Sequence, residues 1–67
     1  MQITLNNRHE TIPGDVLTIT DILKFKNYTF RMMVVKINGQ LVKKNNYTEA
    51  EVRDGDDVQI LHMISGG

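Results

Sequence analysis

Sixty-seven residues without a cysteine make one small domain that holds no disulfide, thiolate metal site or cysteine nucleophile. Eight Lys and Arg balance eight Asp and Glu, so the cationic excess that drives nucleic-acid binding is missing. Apolar stretches are far shorter than the roughly 20 residues of a membrane span, and Met1-Gln2-Ile3-Thr4-Leu5-Asn6 has neither a basic start nor an apolar signal core, so a cytoplasmic domain with no membrane partner is expected.

Gln2-Ile3-Thr4-Leu5 alternates polar and apolar residues, the period of a half-buried strand. Asn6-Asn7 follows, and asparagine tolerates the positive φ of a tight hairpin. Arg8 to Ile12 then returns antiparallel, until Pro13-Gly14-Asp15 breaks the ladder. Leu17-Thr18-Ile19-Thr20-Asp21-Ile22 predicts a helix start. Thr18 is the cap, Asp21 its reciprocal partner, and Leu17 and Ile22 form a hydrophobic staple. Ile19, Ile22 and Leu23 share one face, with Lys24 and Lys26 pointing away. Asn27 is a left-handed stop onto which Tyr28 folds back, which gives a helix of roughly eight or nine residues.

Met32 to Ile37 is apolar and β-branched, and Asn38-Gly39 turns it into Gln40-Leu41-Val42. Lys43 to Asn46 reads as loop, Thr48-Glu49-Ala50-Glu51 as one capped helical turn, and Asp54-Gly55-Asp56 as another reversal. Asp57 to Ile64 is the last strand, followed by Ser65-Gly66-Gly67. The order β-β-α-β-β-turn-β predicts an α+β domain over 1–64, a mixed four- to five-stranded sheet packed on one main helix, with a flexible tail at 65–67.

Side-chain catalysis finds little support. His9 and His62 are the two histidines, and both read as structural or surface residues. Asp54, Asp56 and Asp57 lack the spacing and flanking helices of a calcium loop. Asn27-Tyr28-Thr29 and Asn46-Tyr47-Thr48 match the glycosylation pattern, which has no meaning without secretion. No glycine-rich phosphate loop exists. Charge is neutral but uneven: Lys and Arg dominate residues 1–48, whereas Glu49, Glu51, Asp54, Asp56 and Asp57 face only Arg53 beyond them. That acidic stretch is either a solvated turn or an element that steers a basic partner.

Two features remain. Period-2 alternation sets Val58 and Ile60 on one face of the last strand and Gln59, Leu61 and Met63 on the other. With Val35 and Ile37 inward, Met32, Val34 and Lys36 join that outer face, an apolar patch for a docking partner, a dimer or a second layer. The second feature is the tail. Ile64 to Gly67 extends roughly 13–14 Å, enough to enter another protein's cleft, and glycine lets the backbone pass a narrow channel.

On these residues the chain resembles the ubiquitin-like β-grasp sulfur carriers, the ThiS/MoaD family. The likeness rests on Met1-Gln2-Ile3-Thr4-Leu5-Asn6, Val35-Lys36-Ile37-Asn38-Gly39, Asp54-Gly55-Asp56 and His62-Met63-Ile64-Ser65-Gly66-Gly67, and its compact length favours the thiamine branch. Ser65 stands where such carriers often place a third glycine. The resemblance implies a β-grasp fold and a carrier for the thiazole of thiamine that is not itself an enzyme. It implies that a ThiF-like adenylyltransferase, using ATP and Mg, adenylates Gly67. A sulfur donor protein then leaves a thiocarboxylate for a thiazole synthase. It implies no cofactor bound by this chain, a partner channel for Ser65, Gly66 and Gly67, and docking through Met32, Val34, Lys36, Gln59, Leu61 and Met63. Molybdopterin, another acceptor, or a lysine of a modified protein are alternative destinations, and a plain β-grasp interaction module is the alternative of a different class.

Overall fold

A computed structural model describes residues 1–29 and 31–63. The expected strand end at Ile64 and the tail at 65–67 lie outside the described residues. Strands β1 (Gln2–Leu5) and β2 (Arg8–Thr11) pair antiparallel. Asn6 and Asn7 join them at φ of 52° and 67°, and positive φ at both central positions gives the primed turn that matches strand twist. The Ile12 amide donates to the Met1 carbonyl at 2.8 Å, and the Met1 ammonium donates to the Ile12 carbonyl at 2.6 Å, so pairing continues past the strand ends.

Helix α1 (Ile19–Phe25) starts and stops where side-chain chemistry dictates. The Asp21 amide donates to Thr18 Oγ1 at 3.1 Å and the Thr18 amide donates to Asp21 Oδ2 at 3.0 Å, a closed capping box. At the other end Asn27 takes φ of 57°. The Tyr28 amide then reaches the Leu23 carbonyl at 2.9 Å and the Asn27 amide reaches that of Lys24 at 3.1 Å, the paired bonds of a left-handed helix stop. Ile19 and Ile22 are fully buried. Lys24 is exposed, but Lys26 does not point into solvent as expected: its ammonium meets Glu10 Oε1 of β2 at 2.6 Å and ties the helix end to the sheet edge.

Two segments differ from the sequence expectation. Val16–Thr18, read as the approach to the helix, is a strand (β3) that pairs antiparallel with Glu51–Arg53. Three residues carry no usable period, and the partner lies more than thirty positions away. The helical turn expected at Thr48–Glu51 falls earlier, as a 3₁₀ turn at Lys44–Asn46, and Glu51 already belongs to the next strand. Tyr47 is buried in the core, and the carbonyls of Tyr47 and Ala50 accept the Thr20 and Ile19 amides at 3.0 and 3.1 Å. Those amides are donors that the first helical turn leaves unmatched, so the helix decides the path of this segment.

Strands β4 (Met33–Ile37) and β5 (Gln40–Val42) form the second hairpin through Asn38-Gly39, at φ of 50° and 83°. β6 (Glu51–Arg53) pairs with β3, and β7 (Asp57–His62) enters the middle of the main sheet. That sheet has the order β2-β1-β7-β4-β5, with β1 and β7 parallel and every other pair antiparallel. One helix across a mixed five-stranded sheet is the expected α+β arrangement. Ile3, Leu5, Val35, Val58 and Ile60 from the sheet close on Ile19 and Ile22 from the helix, with Ile12, Tyr47 and Val52 sealing the edges. No described element covers the opposite sheet face.

Candidate functional site

Register decides what the uncovered face presents. β4 and β7 pair Val34 with Leu61 and Lys36 with Gln59, and the Met63 amide donates to the Met32 carbonyl at 3.0 Å, which continues the ladder. Side chains alternate across a strand, so Met32, Val34 and Lys36 stand beside Met63, Leu61 and Gln59 on one face. Val35 and Ile60, which pair one step along, are buried on the other face. All six residues expected at a docking face are therefore brought together. Leu61 on β7 is 48% exposed, and Met32 and Met63, just beyond the strand ends, are 50% and 47% exposed.

Leu41 belongs to the same face and was not anticipated. It pairs directly with Lys36 and is 63% exposed. A signal existed: a two-residue Asn38-Gly39 turn sets Ile37 opposite Gln40 and therefore Lys36 opposite Leu41. At this end of the sheet Met32, Val34, Leu41 and Met63 line a groove of about 370 Å³ together with Met33, Val42 and Tyr47 from the core side and with Arg31, Lys43 and Lys44. Burial pushes the Tyr47 phenol above its ordinary value.

β7 holds its line towards the tail through a side chain. β1 turns away at Asn6, but the Asn6 Nδ2 group donates to the Ile60 carbonyl at 3.0 Å and its Oδ1 accepts the Ile60 amide at 2.7 Å. The Asn6 amide thus pairs with β7 as one further peptide unit of β1 would. The last described residue of this path is Met63. Ser65, Gly66 and Gly67, expected to enter a partner channel, lie outside the described residues.

The acidic stretch at the opposite end of β7 is built into the fold. Asp54 Oδ1 accepts the Gln2 amide at 2.6 Å, and Asp56 Oδ2 accepts the Arg53 amide at 2.8 Å. Asn38 Nδ2 donates to Asp56 Oδ1 at 3.1 Å, and the Asp57 amide donates to Asn38 Oδ1 at 2.9 Å. Asp56 thus closes its own turn, and Asp54 ties that turn to the start of β1. Among the described residues no three His, Asp or Glu side chains gather as metal ligands would. His9 is exposed, with its Nε2 3.2 Å from Gln2 Oε1, and His62 is exposed on β7.

What the geometry offers is a partly exposed apolar face whose last described residue, Met63, stands four positions before Gly67. Comparison with known proteins gives the family and the fold. The model of the ThiS family matches residues 2–67. The sulfur carrier protein ThiS of Bacillus subtilis (strain 168) is 29% identical over 65 residues, covering 97% of this chain and 98% of that protein. The crystal structure of the thiamine biosynthesis protein ThiS from Geobacter metallireducens superposes with a TM-score of 0.88 at 28% identity, over 100% of both chains. A solution structure of a thiamine biosynthesis protein from the same organism gives 0.79 at 27% identity, covering 100% of this chain and 88% of that one. The arrangement is thus the expected β-grasp.

Proposed function

This chain belongs to the ThiS family, and on that footing we propose that it carries sulfur for thiamine biosynthesis as a thiocarboxylate on Gly67. It is a carrier and not a catalyst. A carboxylate is a poor electrophile, so the reading includes an activating partner, a ThiF-like adenylyltransferase. That enzyme, using ATP with Mg, joins the Gly67 carboxylate to AMP, with pyrophosphate as the leaving group. A sulfur donor protein supplies sulfur at the sulfide level. The sulfur attacks the acyl carbon, the bond to AMP breaks, and the thiocarboxylate remains for a thiazole synthase in the cytoplasm. With no cysteine and four thioether methionines, the chain has no side chain that could hold transferable sulfur.

One observation carries the reading. The outer ladder from Gln59 to Met63 ends two positions before Ser65-Gly66-Gly67 in the sequence, in a chain that the family model matches from residue 2 to residue 67. In this reading a partner that grips Met32, Val34, Lys36, Gln59, Leu61 and Met63 also receives the glycines, which follow Met63 within four residues of sequence. Incubation with a ThiF-like adenylyltransferase, ATP, Mg and sulfide is expected to raise the intact mass by the exchange of one oxygen for sulfur. The gain is expected to vanish when Gly67 is deleted, while the far-UV spectrum stays unchanged. An unchanged mass in the intact protein, with the partner still bound, would return the chain to a plain interaction module.

A further inference from the structure

The chain has six asparagines, and Asn38 alone is followed by glycine. A glycine leaves its backbone nitrogen unshielded by a Cβ, so that nitrogen can reach the side-chain carbonyl carbon of the residue before it. The same juxtaposition occurs once with an aspartate, at Asp54-Gly55. The fold treats the two pairs differently. The Gly55 amide donates to the Gln2 carbonyl at 2.7 Å and Asp54 Oδ1 accepts the Gln2 amide at 2.6 Å, so nucleophile and electrophile are both held. The Gly39 amide takes part in no hydrogen bond among the described residues, the space where a Cβ would stand on Gly39 is open, and Asn38 is exposed. Only the Asn38 side chain is restrained. Its Nδ2 donates to Asp56 Oδ1 at 3.1 Å and its Oδ1 accepts the Asp57 amide at 2.9 Å, both across to the start of β7.

We propose that Asn38 is a site of spontaneous deamidation, gated by its two bonds to Asp56 and Asp57. When those bonds open, the Gly39 nitrogen attacks Asn38 Cγ and a cyclic imide forms. The bond from Cγ to Nδ2 breaks, and ammonia leaves with the proton that the Gly39 nitrogen gives up. Water then opens the imide. Hydrolysis at the former side-chain carbonyl gives aspartate, and hydrolysis at the main-chain carbonyl gives isoaspartate. An aspartate puts a carboxylate where Nδ2 donated to Asp56, so a hydrogen bond becomes a repulsion between like charges. An isoaspartate lengthens the main chain of a two-residue turn that sets the register of β4 and β5. Either product keeps the gate from closing again, and the change does not reverse. The site lies at the end of the sheet away from the tail, since Ile37 pairs with Val58 whereas Met33 pairs with His62. The inference is therefore independent of how sulfur is carried.

The test holds the intact chain at mildly alkaline pH below its melting temperature. Mass spectrometry of the chain and of its peptides follows the exchange of NH2 for OH at each asparagine. Asn38 is expected to convert before the other five, and more slowly in the folded chain than in urea. Asp56→Ala removes one of the two restraints and should speed conversion roughly fivefold, the weight of one hydrogen bond in a local opening equilibrium. Asp21→Ala weakens the helix cap instead and should leave the rate unchanged. Asn38→Asp stands in for one product and is expected to lower the melting temperature by roughly 4–8 °C. Adding Asp56→Asn exchanges the two side chains and should restore most of that loss. No conversion at Asn38, or conversion spread evenly over the asparagines, would overturn the site. A folded rate equal to the rate in urea would overturn the gate, and this comparison stands even if Asp56→Ala does not fold. Equal acceleration by Asp21→Ala and Asp56→Ala would also overturn it, because conversion would then follow global unfolding. An Asn38→Asp melt that matches the parent's would overturn the claim that the product holds the gate open.

Discussion

Asn6 carries two separable tasks. Its backbone sits at φ of 52°, a left-handed conformation that asparagine tolerates better than most residues, and its side-chain amide pairs with Ile60 of β7. Asn6→Gly keeps the first and removes the second. It is expected to lower unfolding free energy by about 1–3 kcal/mol, since a part-buried amide and carbonyl lose their partner. Urea denaturation measures this, and no change would mean that water replaces the side chain at no cost. Asp21 gives the corresponding pH test. The Thr18 backbone amide, and then its hydroxyl, stabilise the ionised carboxylate and lower its pKa. A folded value below the unfolded one stabilises the fold above the ordinary aspartate pKa of about 3.9, and that contribution is lost as pH falls through the lowered folded value. Thermal melts of the parent and Asp21→Ala should therefore differ at neutral pH and converge in stronger acid.

At the scale of elements, the main sheet has two faces with different tasks. The inner face of β7 places Val58 and Ile60 in the core, and the outer face places Leu61 in solvent beside Val34. Leu61→Asp should leave the melting temperature within a few degrees of the parent, because the residue is half exposed. The same change should raise KM for sulfur loading by about tenfold or more, as expected for truncation and charging of an interface anchor. A normal KM in that variant would remove the outer face from the docking surface. β3 and β6 show the complementary case. They form a small second sheet near the helix start, where the Tyr47 and Ala50 carbonyls meet the first helical amides. Helix, 3₁₀ turn and two short strands thus stabilise one another.

For the whole molecule, size governs. A 67-residue core supplies a net stability of only about 3–5 kcal/mol. Ile60 is 2% exposed at the centre of that core, and Ile60→Ala is expected to cost about 2–5 kcal/mol, enough to leave the chain substantially unfolded at 37 °C. Circular dichroism checks this directly, and a cooperative melt close to the parent's would show a core less dependent on β7. Functional variants therefore belong on the outer face and the tail. Much of the architecture was legible beforehand because it rests on neighbours along the chain. The Asn6-Asn7 and Asn38-Gly39 turns, the Thr18–Asp21 box and the Asn27 stop each involve contacts within a few residues. Strand alternation likewise assigned Met32, Val34, Lys36, Gln59, Leu61 and Met63 to one face, and the absence of cysteine limited where sulfur could be held. Tertiary structure decided the rest. The β3–β6 pair, the displaced 3₁₀ turn, the bond from Asn6 to a strand 54 residues away and the groove all join distant segments. Such contacts form only when the sheet register is set, and no local pattern encodes them.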